Sequence, residues 1–180
     1  MQLRWLSEES DAATRPACTV EDLARVGVTY RYLSTDAAEF EPALKELCAA
    51  SGYVARDEVG LSKDTPNLQG LLDKFKDEHL HTEDEVRFVL SGAGIFDIRS
   101  ADDKWMRIEV TPGDLIVVPK NLYHRFFLTE ASQIRCVRLF QDPSGWKPEY
   151  RHPIAATPPS LAGVAIFFLA LLIHNARLGT

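Results

Sequence analysis

Between His79 and Phe140 the chain is a succession of short apolar runs cut by turn residues. The breaks fall at Ser91-Gly92, Ala101-Asp102-Asp103, Thr111-Pro112-Gly113-Asp114, Lys120-Asn121 and Thr129-Glu130. Runs of this length, repeating at about 8 to 12 residues, predict five or six strands of an antiparallel sandwich or barrel. Upstream, Thr19 to Gly27 carries a hydroxyl cap, first-turn acids, apolar residues at 20, 23 and 26 and a closing glycine, which predicts a short helix. Val28 to Leu33 predicts a strand. Pro42 to Ala50, stopped by Gly52, predicts a second helix, and Asn67 to Asp77, with Leu68, Leu71, Leu72 and Phe75 at helical spacing, a third. The expected fold class is mainly β, with short N-terminal helices.

Charge and cysteine usage narrow the function. Twenty Lys plus Arg against 26 Asp plus Glu give a formal charge of −6 on 180 residues, which provides no basic surface for nucleic acid. Cys18, Cys48 and Cys136 are odd in number and widely spaced, as expected of a reducing compartment rather than a disulfide scaffold. The first eighteen residues lack the plan of a secretory signal, so the expectation is cytosolic.

The chemistry-bearing residues begin at Glu78-His79-Leu80-His81-Thr82-Glu83-Asp84-Glu85-Val86-Arg87-Phe88. On a strand, His79, His81, Glu85 and Arg87 share the odd-numbered face, while Leu80, Val86, Phe88 and Leu90 face an apolar layer. His124, beyond the strand Leu115-Ile116-Val117-Val118, returns beside the pair in an antiparallel arrangement. Three imidazoles and a carboxylate suit a first-row divalent ion such as Fe, Ni, Mn or Co better than Mg or Ca. An octahedral ion so held keeps two positions for an oxygenated substrate, and Arg87 can neutralise a bound enediolate. The bland alternatives are a polar strand edge for the histidines and acid, and a surface salt bridge for Arg87. His152 and His174 read as solvated.

His79-x-His81-x-x-x-Glu85-x-x-x-x-x-x-Gly92 resembles the first cupin motif, and Gly113-x-x-x-x-x-Pro119-x-Asn121-x-x-His124 most of the second. Asp73 and Asn121 stand where glycines are usual. Within cupins, Phe75-x-x-Glu78-His79-Leu80-His81, Asp84-Glu85-Val86-Arg87-Phe88, Gly92-x-Gly94-x-Phe96-Asp97-Ile98-Arg99 and Tyr123-His124-Arg125-Phe126 resemble the acireductone dioxygenases of methionine salvage. The resemblance covers about residues 19 to 150. It implies a cupin jelly-roll barrel, a double-stranded β-helix, in residues 1–150. It implies His79, His81, Glu85 and His124 as ligands of one Fe2+ or Ni2+ ion, Arg87 as the catalytic residue steadying the enediolate, and Phe75 and Phe126 lining the substrate pocket. Either Phe is equally compatible with plain core packing.

The implied reaction is cleavage of acireductone, 1,2-dihydroxy-3-keto-5-methylthiopentene, with O2. The Fe form gives formate and 4-methylthio-2-oxobutanoate, the Ni form formate, CO and methylthiopropionate. A metal-dependent cupin isomerase and a non-catalytic small-ligand-binding cupin are the alternatives. The implied state is a monomer, cytoplasmic and also nuclear.

Residues 151–180 depart from the resemblance. A Pro-rich loop leads to the apolar stretch 161–173, which as a helix is about 20 Å long at 1.5 Å per residue, short of the roughly 30 Å of a bilayer core. A terminal helix packed on the barrel or on a partner is expected, with weak membrane association as the alternative.

Overall fold

The computed structural model describes residues 1–6, 17–142 and 147–151. The predicted tail segment 161–173, most of the Pro-rich loop, His152 and His174 lie outside the described residues. Eleven strands form among the described residues: β1 (Gln2–Trp5), β2 (Thr29–Tyr32), β3 (Ala55–Leu61), β4 (His79–Leu80), β5 (Glu85–Gly92), β6 (Gly94–Arg99), β7 (Trp105–Val110), β8 (Asp114–Val118), β9 (His124–Leu128), β10 (Ile134–Phe140) and β11 (Glu149–Tyr150). They make two antiparallel sheets, in the order β1-β7-β6-β9-β4-β11 and β2-β8-β5-β10-β3. This is the mainly β, two-sheet cupin architecture that the sequence predicts.

Three helices precede β4. Helix α1 (Val20–Arg25) starts as its sequence dictates: Thr19 Oγ1 accepts from the Asp22 amide while the Asp22 carboxylate accepts from the Thr19 amide, a reciprocal cap. Helix α2 (Ala37–Ser51) begins five residues before the predicted start at Pro42. Asp36 is the reason, because its carboxylate accepts from the Ala38 amide and caps the helix there. Pro42 is consequently carried inside the helix, and Gly52 closes it in the left-handed conformation. Helix α3 (Leu68–Lys76) follows the predicted periodicity and turns Leu68, Leu71 and Phe75 toward the barrel.

Alternation along each strand sends side chains to two cores. Ile116 and Val118 of β8, Val89 of β5, Phe96 and Ile98 of β6, and Met106 and Ile108 of β7 fill the space between the sheets. Leu115 and Val117 of β8, Val86 and Phe88 of β5, and Val137 and Leu139 of β10 point the other way, to Phe40 and Leu44 of α2. Phe88 is fully buried, its ring 5.0 Å from that of Phe40. The predicted apolar layer behind Glu85 and Arg87 is therefore α2 and its contacts.

Two motif glycines meet steric demands that no side chain could. Gly92 has φ +73°, and a Cβ there would lie 2.1 Å from the Gln133 carbonyl oxygen. Gly113 has φ +93°, with Tyr32 2.5 Å from the same virtual atom. Asn121, standing where the motif usually has glycine, adopts φ +63°, a left-handed conformation that asparagine tolerates.

Candidate metal centre

His79, His81, Glu85 and His124 are all buried, and their candidate ligand atoms lie within 4.8 Å of one another. The route to this cluster differs from the single odd-numbered strand face expected from parity. Strand β4 is only two residues long and belongs to the six-stranded sheet, whereas β5 belongs to the five-stranded one. The chain crosses between sheets over residues 81–84, so Glu85 and Arg87 face His79 and His81 from the opposite wall. His124 arrives by the expected antiparallel return, paired directly with His79.

The crossing is tied down by its neighbours. The Asn121 amide donates to the His81 carbonyl at 2.8 Å. The Asp84 carboxylate accepts from the Tyr53 hydroxyl at 3.0 Å and from the Lys120 amide at 3.0 Å. These contacts set the spacing between the second histidine and the carboxylate.

The imidazoles are oriented by backbone carbonyls. Nδ1 of His79 lies 2.7 Å from the Asp77 carbonyl, Nδ1 of His124 2.8 Å from that of Leu122, and Nδ1 of His81 3.4 Å from that of Lys147. A carbonyl only accepts, so each Nδ1 carries a hydrogen and each ring turns its Nε2 inward. Nε2 of His124 and of His81 then face Glu85 Oε2 at 3.0 and 3.1 Å. A divalent cation held between these atoms would satisfy all of them at once. The donor set thus fits a single first-row metal ion.

Electrostatics favour the charged carboxylate of Glu85 and the neutral ring of His79. Burial by itself raises the Glu85 carboxyl, but the Arg87 guanidinium beside it holds it well below the usual carboxylate range. Burial likewise lowers His79, keeping it in the neutral form that a metal ligand requires. Arg87 is 17% exposed; its Nη2 lies 3.1 Å from Glu85 Oε1 and its Nη1 donates to the Val86 carbonyl at 3.2 Å. Arg87 thus does pair with a nearby acid, from a partly buried position on the cavity wall.

The cluster forms one end of a cavity of about 510 Å³. Phe75 and Phe126 both line it, in edge-to-face contact with centroids 6.2 Å apart, and Phe126 also packs on Phe96 at 5.0 Å. Lining and core packing prove to be one role for these rings. The sequence did not single out the opposite wall: Val59 and Leu61 of β3, Ile134, Cys136 and Arg138 of β10, and Lys74 of α3. Nothing local marks them, since they reach the site only through the pairing of β10 with β3 and β5. The Cys136 thiol is pushed up to about 11, chiefly by burial, and presents a neutral wall rather than a nucleophile. Residues 147–151 cover the histidines: Pro148 and Tyr150 line the cavity, Tyr150 pairs with His79, and Arg151 clamps to Glu78 and Asp103 at 2.8 Å each.

Comparison with known proteins agrees with this geometry. Residues 7–148 match the model of the ARD/ARD' family. The chain is 46% identical over 134 residues to an acireductone dioxygenase of Heterostelium pallidum, covering 74% of this chain and 90% of that protein. It is 41% identical over 152 residues to that of Dictyostelium discoideum, covering 84% of this chain and all of the relative. A solved acireductone dioxygenase of Bacillus anthracis, with a cadmium ion in its active centre, superposes with a TM-score of 0.72 at 35% identity, over 83% of this chain and 97% of that one. Matched along most of its length in both sequence and fold, the chain belongs to the ARD/ARD' family, the acireductone dioxygenases.

Proposed function

We propose that residues 1–150 form a metal-dependent dioxygenase that cleaves 1,2-dihydroxy-3-keto-5-methylthiopentene with O2, using one Fe2+ or Ni2+ ion held by His79, His81, Glu85 and His124. The observation that carries this reading is a buried set of three histidines and a glutamate, of which His79, His81 and Glu85 line a cavity walled largely by apolar side chains, with Arg87 beside the carboxylate. When bound, the ion would supply Lewis acidity toward the oxygens of an enediol.

The chain's own residues supply the rest. Arg87, fixed by the Val86 carbonyl and Glu85, offers charge-assisted hydrogen bonds to a substrate enediolate that a water-filled site could not match. Phe75, Phe126 and the aliphatic side chains of β3 and β10 take the methylthioethyl tail and exclude water from the reacting carbons. The three Nδ1–H groups donate to the backbone carbonyls and keep the imidazoles in register. An Fe-loaded enzyme is expected to give formate and 4-methylthio-2-oxobutanoate, a Ni-loaded one formate, CO and methylthiopropionate.

The test is anaerobic binding of the acireductone to each metal form, followed by an O2 pulse with formate and headspace CO measured. Stoichiometric O2 consumption with formate supports the reading. Isomerised substrate without O2 uptake would replace it with a metal-dependent isomerase, and unchanged substrate with a small-ligand-binding cupin.

A further inference from the structure

Three cations line the cavity, Lys74, Arg87 and Arg138, and their partnerships differ. Arg87 is matched by Glu85 across 3.1 Å. Arg138 is matched by Asp57, which accepts from its Nε at 2.7 Å. Lys74, in the last turn of α3, makes no ion pair among the described residues and is exposed on the solvent side of the cavity. The acid one position before it does not compensate it, because Asp73 accepts from Lys76 at 2.6 Å and from Gln69 at 3.0 Å. The exposed side of the cavity therefore carries an ammonium with no counter-ion among the described residues, on a chain whose formal charge is −6. Such a chain repels an anion at long range, so a local positive charge at the entrance has a purpose that an even distribution of charge would not.

We propose that Lys74 is a specificity-determining residue at the cavity mouth, which draws an anionic enediolate in and disfavours uncharged analogues of the same shape. This inference rests on the proposed dioxygenase reading, since it takes the substrate to be an enediolate. Lys74 does not touch the reacting atoms; it acts on capture through its field. A purely structural role is also open to it, as a cation complementing the C-terminal end of the α3 dipole. Lys76 occupies the same turn but does not line the cavity, so it shares that structural role alone.

The experiment compares kcat/KM of the metal-loaded wild type, Lys74→Gln and Lys76→Gln with the acireductone across ionic strength. The Debye length is about 30 Å at 0.01 M and about 3 Å at 1 M, so an exposed charge at the mouth acts at low salt and is silenced at high salt. The expected result for Lys74→Gln is a three- to tenfold lower kcat/KM near 0.01 M, converging on wild type within about twofold near 0.5 M. The saturating rate and metal content should stay at wild-type level, and Lys76→Gln, outside the cavity lining, should show a clearly smaller low-salt deficit than Lys74→Gln. An identical salt dependence in Lys74→Gln, a deficit that persists at high salt, or the same deficit in Lys76→Gln would each overturn the inference. Wild-type enzyme that consumes no O2 would overturn the dioxygenase reading and this inference together, whereas active wild type with an indifferent Lys74→Gln overturns this inference alone.

Discussion

Asp84 is expected to hold the ligand geometry without being a ligand. Its carboxylate accepts from the Tyr53 hydroxyl and from the Lys120 amide, each at 3.0 Å, and so pins the crossing between His81 and Glu85 to α2 on one side and to the Pro119 turn on the other. Hydrogen bonds to a charged group contribute about 1.5 to 3 kcal/mol each. Because Asp84 is only half-buried and water can replace part of the loss, Asp84→Ala is expected to cost about 2 to 3 kcal/mol rather than the full sum. Tyr53→Phe keeps the buried ring and loses one bond, for about 1 kcal/mol. Burial and the neighbouring Asp84 carboxylate hold the Tyr53 hydroxyl well above the ordinary phenol value, so it remains a donor throughout the accessible pH range. The assay is urea unfolding of both single variants and the double variant in the metal-free state, together with metal affinity measured by chelator competition. The double variant should lose about 1 kcal/mol less than the two single losses added together. Loosening residues that orient metal ligands typically lowers affinity ten- to a hundredfold, and Asp84→Ala should fall in that range. A loss below about 0.5 kcal/mol, or a stability loss with metal affinity within twofold of wild type, would refute the idea that this anchor positions the ligands.

Arg87→Ala is expected to retain stoichiometric metal by elemental analysis while losing ten- to a hundredfold in turnover, the equivalent of about 1.5 to 3 kcal/mol for a charge-assisted contact to an anion. Phe88→Ala should lower unfolding free energy by about 3 to 5 kcal/mol in denaturant titrations, because the ring is fully buried between β5 and α2. The Asp57 carboxyl is held below its ordinary value chiefly by the hydrogen bond from Arg138. A depressed folded-state value stabilises at pH above the unfolded value near about 3.9 and is lost as pH falls through the folded one. Asp57→Asn should therefore be less stable than wild type at pH 7, with the gap closing at pH 3; a constant gap would contradict the assignment.

Local rules were enough for much of this protein. The reciprocal Thr19–Asp22 cap, the Gly52 stop and the heptad-like spacing of Leu68, Leu71 and Phe75 each involve residues within one or two turns, and the helices follow them closely. Where the local reading was off, another local signal was present and outweighed: Pro42 looks like a helix start, but the Asp36 side chain, six residues before α2's predicted beginning, caps it first. The candidate ligand cluster was also legible, because three imidazoles and a carboxylate have few other uses at that spacing. What the sequence could not carry was position across the barrel. Parity placed His79, His81, Glu85 and Arg87 on one strand face, and the structure reaches the same convergence by crossing from one sheet to the other at residues 81–84. The wall made by Val59, Leu61, Cys136 and Arg138 depends on β10 pairing with both β3 and β5, and the Glu78–Arg151 clamp joins residues 73 positions apart. Strand pairing over such separations is decided by the total burial of two cores at once, a property of the assembled chain that no window of residues contains.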